Sequence, residues 1–222
     1  ALLDVNGNAT VGTNLTLVNG SLFMPVAASD DNITLYLPFS EAIGTKAYDR
    51  SPTGNDATLA NGTAWNLTGR AGAGVTFDGV NDYMNASTSG INALNGTIMF
   101  WVYHASTSGT QTYAMVSQSA TSYLVFQNNL IRINASSTES SISTFNAPSA
   151  NRWTHVALVW SNSSSPYLKY YIDGRLDATS TTVFGSWTVA SQIFIGSNST
   201  GGQYLNGTLD EVASRALEHV ER

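Results

Sequence analysis

The sequence predicts an all-β protein in which two antiparallel sheets pack as a sandwich. Residues 152–160 include two tryptophans and three large aliphatic side chains, and neither alternating face of this stretch is mostly polar. Because a strand without a polar face is typically covered on both sides, we expect it in the middle of a packed sheet, with Trp153 and Trp160 in the core. A second β-rich run, residues 167–176, contains Asp173-Gly174, a dipeptide typical of the tight turn between paired strands.

Composition restricts the partners that the protein can bind. The 222 residues fit one large β domain, with or without a short appendage, and 42% of them are hydrophobic, which is enough for a core. Only 11% are charged, less than half the usual share, so Ser, Thr and Asn must keep the surface hydrated. The net charge of -6 argues against nucleic acid, which needs clustered Lys and Arg, and is compatible with calcium or a neutral polysaccharide. There is no cysteine for a disulfide, and no run of about 18 apolar residues predicts a membrane span.

Acceptor sites for N-glycosylation are dense along the whole chain. Asn-X-Ser/Thr with X other than Pro occurs twelve times, more than twice as often as chance predicts from 20 Asn and 52 Ser or Thr. Asn-linked glycans are bulky, solubilising and restricted to exported proteins, so the pattern predicts an extracellular or cell-surface glycoprotein. The alternative is that Asn-Gly marks turns, which applies to Asn19, Asn61, Asn95 and Asn206. The predicted glycosylation sites are Asn8, Asn14, Asn19, Asn32, Asn61, Asn66, Asn85, Asn95, Asn134, Asn162, Asn198 and Asn206.

The first 28 residues are predicted to form an N-terminal β arm, and residues 29–222 the main domain. The arm has short β-prone segments between Asn and Gly residues, and it resembles segments of tail fibres and other fibrous surface proteins. Phe23 is its one aromatic residue, so the arm cannot build a core of its own. Two interpretations stay open: an edge strand or frayed leader of the same sandwich, or a strand that pairs with the open sheet edge of a neighbouring subunit. Head-to-tail pairing of that kind produces filaments, and the alternating residues that would mediate it are Leu15, Leu17, Leu22 and Met24.

A series of short segments occurs in an order typical of one family. Residues 48–59 and 73–83 are followed by 95–103, 152–159, 169–174, 193–196 and 205–212, the last of which reads Leu-Asn-Gly-Thr-Leu-Asp-Glu-Val. Across about residues 35–215 this order resembles the laminin-G-like domains, which have a concanavalin A-like jelly roll. The resemblance implies a two-sheet antiparallel jelly-roll β-sandwich for residues 29–222. Residues 213–222 depart from the family pattern, being shorter and more charged, so the end of the last strand is left open.

The loop of residues 49–56 contains Asp, Ser and Asn side chains, whose oxygen atoms are of the type that calcium prefers. The resemblance implies that this loop and the acid of the Asp-Glu-Val segment can lie together and hold a structural Ca²⁺. Carried over to this sequence, the candidate ligands are Asp49, Asn55 and Asp210. The alternative is an Asx-type turn in the loop and a surface charge at Asp210.

No combination of residues indicates catalysis. Some jelly-roll relatives are glycoside hydrolases, which need two carboxylates facing one another, typically on alternate residues of one strand. The sequence has no such run, and Glu211, Glu218 and Glu221 fall in what we expect to be a terminal tail. The three histidines lack metal-ligand spacing, and neither a cysteine nor a Gly-X-Ser-X-Gly nucleophile motif occurs. We therefore predict a protein that is not an enzyme.

Saccharide binding would need an exposed aromatic ring on which the C–H face of a sugar can stack. Six aromatic residues lie near predicted turns, and the resemblance implies a ligand site in loops at one end of the sandwich. Trp101, Trp153 and Trp160 lie in predicted strands and are assigned to the core. Because a β-sandwich needs a large aromatic core in any case, no aromatic residue stands out as a ligand site. The six residues near turns are Trp65, Tyr113, Tyr123, Tyr167, Trp187 and Tyr204.

Two functions of different classes fit these observations. The first is a structural subunit that assembles with other copies of itself, through its arm, into a surface filament or layer. The second is a carbohydrate-binding or adhesin module of a larger cell-surface protein, with a polysaccharide as partner. Dense glycans would hinder a lectin site and protect a fibre from proteases, which favours the first function.

Overall fold

The computed structural model describes residues 32–119, 122–135, 138–185, 187–198 and 202–216. These residues form strands joined by turns and loops, and within them no helix has the length and apolarity needed to cross a lipid bilayer. In chain order the strands are β1 (Ile33–Leu37), β2 (Lys46–Ala47), β3 (Ala57–Ala60), β4 (Ala64–Asn66), β5 (Gly74–Asp78), β6 (Tyr83–Ser87), β7 (Asn95–His104), β8 (Thr112–Ser119), β9 (Ser122–Gln127), β10 (Ile131–Ala135), β11 (Thr138–Ile142), β12 (Trp153–Ser161), β13 (Leu168–Ile172), β14 (Arg175–Ser180), β15 (Gln192–Ile195) and β16 (Asn206–Arg215).

The strands form two sheets. In sheet A the order is β14-β13-β12-β7-β16-β5-β4, and β1 pairs with part of β16. In sheet B the order is β11-β10-β9-β8-β15-β6-β3-β2. Neighbouring strands are antiparallel, and the chain crosses between sheets from β5 to β6, β6 to β7 and β7 to β8. The predicted all-β fold, a two-sheet antiparallel sandwich of the jelly-roll type, is confirmed.

Aromatic residues from both sheets meet in the core. Phe100 and Tyr170 come from sheet A, Tyr113 and Phe126 come from sheet B, and all four are at most 1% exposed. The ring centroid of Phe126 lies 5.3 Å from those of Phe100 and Tyr113 and 5.9 Å from that of Tyr170. Tilted and edge-on arrangements of this kind are the favourable geometries for aromatic pairs. These contacts therefore join the two sheets through one ring cluster.

β12 lies in the middle of sheet A, between β7 and β13, as the sequence predicts. Its inward side chains, among them Leu158 and Trp160, are buried, but Trp153 and His155 face outward and are only half-buried. The prediction that both faces are covered is therefore wrong, and so is the assignment of Trp153 to the core; Trp101 of β7 also faces outward. On the outward face of sheet A, large rings pack against one another and cover their neighbours, so β12 needs only one of its faces in the core.

Two of the Asn-Gly pairs that could mark turns instead lie at the starts of strands. Gly96 of β7 is paired with Trp160, and a Cβ atom at Gly96 would overlap the Trp160 ring. A Cβ atom at Gly207 of β16 would overlap the backbone of β7. Glycine is thus required at both positions by the close approach of neighbouring atoms. Asn61, by contrast, does lie in a turn with a φ of 58°.

β16 has a bulge at its centre that divides one of its edges between two partners. Residues 206–209 pair with β5 and residues 212–215 pair with β1, while β7 pairs along the other edge. Glu211 sits at the bulge with a φ of 53°, and the register with β7 shifts between Asp210 and Ala213. Glu211 therefore lies in the middle of a strand, and its predicted position in a terminal tail is wrong. The strand ends at Arg215.

The predicted N-terminal arm lies outside the described residues. The boundary at residue 28 and the assembly of subunits through the arm therefore stay predictions. The residues assigned to that assembly are Leu15, Leu17, Leu22 and Met24.

Candidate functional site

The outward surface of sheet A bears aromatic side chains from three adjacent strands. We call this group the aromatic face, and its members are Trp101 and Tyr103 of β7, Trp153 and His155 of β12, and Tyr171 of β13. All five are half-buried, and in β7 and β12 they alternate with buried core residues, so that they point away from the core. The antiparallel register places Trp101 opposite His155 and Tyr103 opposite Trp153, with ring centroids 5.2 Å and 5.7 Å apart. Residues far apart in the sequence thus form one ring surface.

A shallow depression of about 520 Å³ lies on the aromatic face, lined by Trp101, His155, Asp173 and Gly174. One of its walls is the turn between β13 and β14, where Asp173 has a φ of 47° and Gly174 a φ of 77°. Left-handed backbone at both central residues is the conformation that Asp-Gly favours in a two-residue hairpin turn, so the predicted turn is confirmed. The volume lies within the range of small-molecule sites.

Asp173 is held in a fixed position by its neighbours. Its backbone N–H donates to the His155 carbonyl at 2.8 Å, and its Oδ1 accepts the His155 backbone N–H at 3.0 Å. Its Oδ2 lies 2.5 Å from Nη2 of Arg152, and the Arg152 and Asp173 side chains are 58% and 41% exposed. Since a carboxylate has about four acceptor positions and a guanidinium five N–H donors, both groups keep hydrogen-bonding capacity for a ligand.

The imidazole of His155 forms part of the floor of the depression. Burial lowers the pKa of His155, and the negative charge of Asp173 opposes the shift. The ordinary value is already about 6.5, so the neutral form of the ring predominates at pH 7. A neutral imidazole offers one hydrogen-bond donor and one acceptor without adding charge.

A tight loop at residues 69–72 holds Arg70 over the ring of Trp101, with Cζ 4.4 Å from the ring centroid. The loop is anchored by Asp210, which is fully buried. Oδ2 of Asp210 accepts the backbone N–H groups of Arg70 and Ala71 at 2.7 and 2.8 Å, and Oδ1 accepts that of Glu211 at 2.8 Å. Burial raises the pKa of the Asp210 carboxyl, and these three donors oppose the rise. The bulge of β16 therefore positions a cation on the aromatic face.

Glu211 and Asp210 do not form the pair of accessible carboxylates that glycoside hydrolysis needs. The Tyr36 hydroxyl donates to Oε2 of Glu211 at 2.6 Å, and burial raises the pKa of Glu211. Asp210 is covered by the loop of residues 69–72. The absence of enzymatic activity stays a prediction, which an assay for new reducing ends on candidate polysaccharides would test.

A second depression, of about 300 Å³, lies among loops at one end of the sandwich. Gln111 Nε2 donates to the carbonyls of Ser106 and Ser108 at 2.7 and 3.1 Å, and its Oε1 accepts the backbone N–H of Asn206 at 2.8 Å. The amide of Gln111 therefore fastens these loops to one another. The lining residues are uncharged: Gly79, Ser106, Ser108, Thr110, Gln111, Gln203, Tyr204 and Asn206.

Of the six aromatic residues predicted near turns, Tyr204 lines this second depression and the other five line neither. Tyr113 and Trp187 are buried, at 0% and 4% exposure. Trp65 and Tyr167 pack against the core, and Tyr123 of sheet B accepts a hydrogen bond from Arg132 at 3.2 Å. Proximity to a turn was thus a poor guide to exposed rings.

The candidate calcium ligands divide between two places. Asp49 and Asn55 are in contact, since the Asn55 backbone N–H donates to Asp49 Oδ2 at 2.7 Å. Asp210 instead binds the loop of residues 69–72. Ser51 N–H donates to Asp49 Oδ1 at 2.8 Å, which forms the Asx turn of the alternative interpretation. The five donors to the Asp49 carboxylate are the backbone N–H groups of Tyr36, Ser51 and Asn55 and the hydroxyls of Ser51 and Thr53.

These contacts do not fit a calcium ion. Calcium needs six to eight oxygen ligands, but the carboxylates of Asp49 and Asp210 already accept N–H and O–H donors. In the described part of the chain, no group of three His, Cys, Asp or Glu side chains could hold a metal ion. Structural Ca²⁺ stays an untested prediction, and a fall in melting temperature on adding EDTA would support it.

Nine of the twelve predicted glycosylation sites lie among the described residues, and Asn8, Asn14 and Asn19 lie outside them. Asn61 is exposed and the other eight are half-buried, so the nine side chains reach the surface to differing extents. Glycosylation at these positions stays a prediction. The nine are Asn32, Asn61, Asn66, Asn85, Asn95, Asn134, Asn162, Asn198 and Asn206.

Comparison with known proteins gives one family match. The model of the Laminin_G_3 family, described as the concanavalin A-like lectin/glucanases superfamily, matches residues 77–219, more than half of the chain. No curated protein matches the chain in sequence.

Solved structures share the fold at low sequence identity. Domain 4 of AbnA, a GH43 extracellular arabinanase from Geobacillus stearothermophilus, in complex with arabinotriose, has a TM-score of 0.69 at 16% identity, covering 83% of this chain and 92% of that one. The botulinum neurotoxin serotype D binding domain has a TM-score of 0.63 at 15% identity, covering 85% and 49%. A Trypanosoma rangeli sialidase has a TM-score of 0.57 at 18% identity, covering 84% and 31%. This chain therefore spans about half of the toxin structure and less of the sialidase.

Proposed function

The chain belongs to the Laminin_G_3 family of the concanavalin A-like lectin/glucanases superfamily, and from that membership we propose that it is a saccharide-binding domain of a larger extracellular or cell-surface protein. The proposal rests mainly on the aromatic face of sheet A with its depression. A structure of the same fold was solved with arabinotriose and is a domain of an extracellular arabinanase, which supports a neutral saccharide as the ligand.

The aromatic face supplies the two kinds of contact that saccharide binding needs. Half-buried rings such as Tyr103 and Trp153 offer apolar surface on which the C–H faces of sugar rings stack. Asp173, Arg152 and His155 offer acceptors and donors for hydroxyl groups beside those rings. Because the rings are braced by cross-strand neighbours, binding does not require them to be ordered first.

Replacing Trp153 by alanine is expected to weaken polysaccharide binding at least about tenfold, or ~1.4 kcal/mol, because it removes half of the Tyr103–Trp153 ring pair. Affinity gel electrophoresis with arabinan, xylan, mannan and galactan would measure the change, with calorimetry on arabinotriose as a second readout. A Trp153→Phe variant, which keeps a ring, should retain most of the affinity.

Phe194→Ala is the matched control for that substitution. Phe194 is also a half-buried aromatic residue on an outward face, but in sheet B, where its ring lies 6.0 Å from that of Tyr83. The Phe194→Ala variant should leave polysaccharide binding unchanged. Equal weakening by both alanine variants, or by neither, would contradict the assignment of the site to sheet A.

Location outside the cell is part of the proposal. It is supported by the twelve sequons, of which the nine described ones reach the surface, and by the extracellular enzyme with the same fold. Intact-mass spectrometry of the native protein is the direct test, since a mass equal to that of the bare polypeptide would remove the glycoprotein prediction.

Self-assembly through the N-terminal arm remains a separate prediction from the sequence alone. The described residues provide a ring surface and a depression for a ligand, which is why saccharide binding takes precedence. Electron microscopy of the native material would test assembly: fibres that vanish on deletion of residues 1–24 would support it, and monomers unaffected by the deletion would not.

A further inference from the structure

We propose that the depression on the aromatic face is a subsite for an uncharged sugar residue with two adjacent free hydroxyls, which Asp173 and Arg152 bind together. The inference rests on the proposed saccharide-binding function and adds the chemical group that the site recognises.

The pairing of Asp173 with Arg152 matches the chemistry of a vicinal diol. Each hydroxyl is both a donor and an acceptor, and two adjacent hydroxyls on one ring lie about a hydrogen-bond length apart. Oδ2 of Asp173 and Nη2 of Arg152 are 2.5 Å apart, which sets an acceptor directly beside a donor. One hydroxyl can donate to the carboxylate while its neighbour accepts from the guanidinium.

The acceptor is fixed before any ligand binds. Asp173 sits in a turn with left-handed backbone at both central residues, and two hydrogen bonds join it to the backbone of His155. A hydrogen-bonding group that is already ordered loses little conformational entropy on binding. The side chains of Asp173 and Arg152 are nevertheless 41% and 58% exposed, so a ligand can reach them.

The charged side chain that lines the depression is a carboxylate. Asp173 is paired with Arg152, while Arg70 lies over Trp101 with its backbone N–H bonded to the buried carboxylate of Asp210. Burial lowers the pKa of His155, so the neutral form of that ring predominates at pH 7. A carboxylated or sulfated sugar would meet the like charge of Asp173, which favours a neutral ligand.

The floor of the depression suits the apolar face of a sugar ring. Trp101 and His155 line it with ring centroids 5.2 Å apart at an interplanar angle of 63°. Arg70 lies over the Trp101 ring, and Trp101 is one of the residues that line the depression. A sugar whose C–H face rests on this floor would present its hydroxyl edge to the wall formed by Asp173.

The test uses Asp173→Asn and Arg152→Gln in the full chain. Asn tolerates the left-handed turn conformation and can still accept the His155 N–H, so the fold should be kept and the melting temperature should change little. Each variant is expected to bind arabinan or mannan at least about tenfold more weakly than wild type by affinity electrophoresis. Binding of the same polymer after O-methylation, which keeps the rings but removes the hydroxyl donors, should be equal in wild type and variants.

A matched ion pair on the other sheet provides the control. Arg132 and Glu139 of sheet B are 3.1 Å apart with side chains 32% and 38% exposed, so Arg132→Gln and Glu139→Gln remove a similar pair away from the depression. Neither should alter binding.

The outcomes separate the subsite from the proposed function. Wild-type affinity in both Asp173→Asn and Arg152→Gln would overturn the subsite and leave the saccharide-binding function standing. The subsite would also be overturned if the variants lost as much affinity, relative to wild type, for the O-methylated polymer as for the unmodified one. Tighter binding of polygalacturonate than of arabinan or mannan would overturn the neutral ligand. Failure of the wild-type chain to bind arabinan, xylan, mannan or galactan would overturn the proposed function itself.

Discussion

Replacing Asp210 by alanine is expected to lower the free energy of unfolding by about 3 kcal/mol, because three backbone N–H groups lose their buried carboxylate acceptor at once. Two of those groups belong to Arg70 and Ala71 and the third to Glu211. The Asp210 side chain that accepts from them is fully buried. Urea denaturation followed by tryptophan fluorescence would measure the loss.

Two further variants make that prediction specific. Asp210→Asn keeps one side-chain oxygen as an acceptor, so it should lose only the hydrogen bonds made by the other oxygen. The free energy of unfolding should then fall by about 1–2 kcal/mol. Asp78→Ala removes an exposed carboxylate whose Oδ1 accepts the Val80 N–H at 2.8 Å, and it should change stability by less than about 1 kcal/mol. If Asp210→Ala lowered the free energy of unfolding no more than Asp78→Ala does, Asp210 would not anchor the loop of residues 69–72.

Replacing Phe126 by alanine is expected to lower the free energy of unfolding by about 3–5 kcal/mol, the usual range for emptying a buried phenylalanine site. Phe126 is fully buried and touches the rings of Phe100, Tyr113 and Tyr170, two of which belong to the opposite sheet. The cavity would therefore open between the sheets. The same denaturation experiment would measure the loss of stability.

Phe126→Leu and Phe194→Ala provide the comparison. Leucine keeps much of the apolar volume, so Phe126→Leu should lower the free energy of unfolding clearly less than Phe126→Ala does. Phe194 is half-buried on the outward face of sheet B and its removal leaves no closed cavity. If Phe194→Ala destabilised the protein as much as Phe126→Ala, the ring cluster would not be the centre of the core.

The hairpin at Asp173-Gly174 could be predicted because local chemistry determines it. Left-handed backbone at both central residues is what Asp-Gly favours, and the structure has it at both. The central place of residues 152–160 in a sheet followed from their apolar content. The resemblance to laminin-G-like domains then gave the jelly-roll arrangement, which the family match supports.

The aromatic face could not be predicted because both faces of its strands are apolar. In β7, Trp101 and Tyr103 alternate with Phe100 and Val102, and the period-2 pattern does not say which set meets the other sheet. Only the packing of the sheets decides that Phe100 is buried and Trp101 is not. The sequence pattern therefore predicts a core position for a tryptophan in such a strand, as for Trp101 and Trp153.

The bulge in β16 could not be predicted from the sequence pattern either. Asp210 follows Leu209 in an ordinary β-rich run, and its partners, residues 70 and 71, are distant in the chain. A buried carboxylate held by backbone donors is a tertiary feature; the family resemblance implied a calcium ligand at Asp210 instead, with a surface charge as the alternative. Likewise, a turn was one of two interpretations of Asn95-Gly96, and the close approach of Trp160 is what requires glycine there.

The most direct test of saccharide binding on sheet A is an NMR titration of the five indole N–H signals with arabinotriose, assigned by single Trp→Phe variants. Trp65, Trp160 and Trp187 donate their indole N–H to carbonyls at 2.6–3.0 Å, whereas Trp101 and Trp153 lie on the aromatic face. We predict that the signals of Trp101 and Trp153 move with added sugar and that the other three stay in place. Shifts confined to Trp65, Trp160 or Trp187, or saturable binding that moves none of the five signals, would contradict this account.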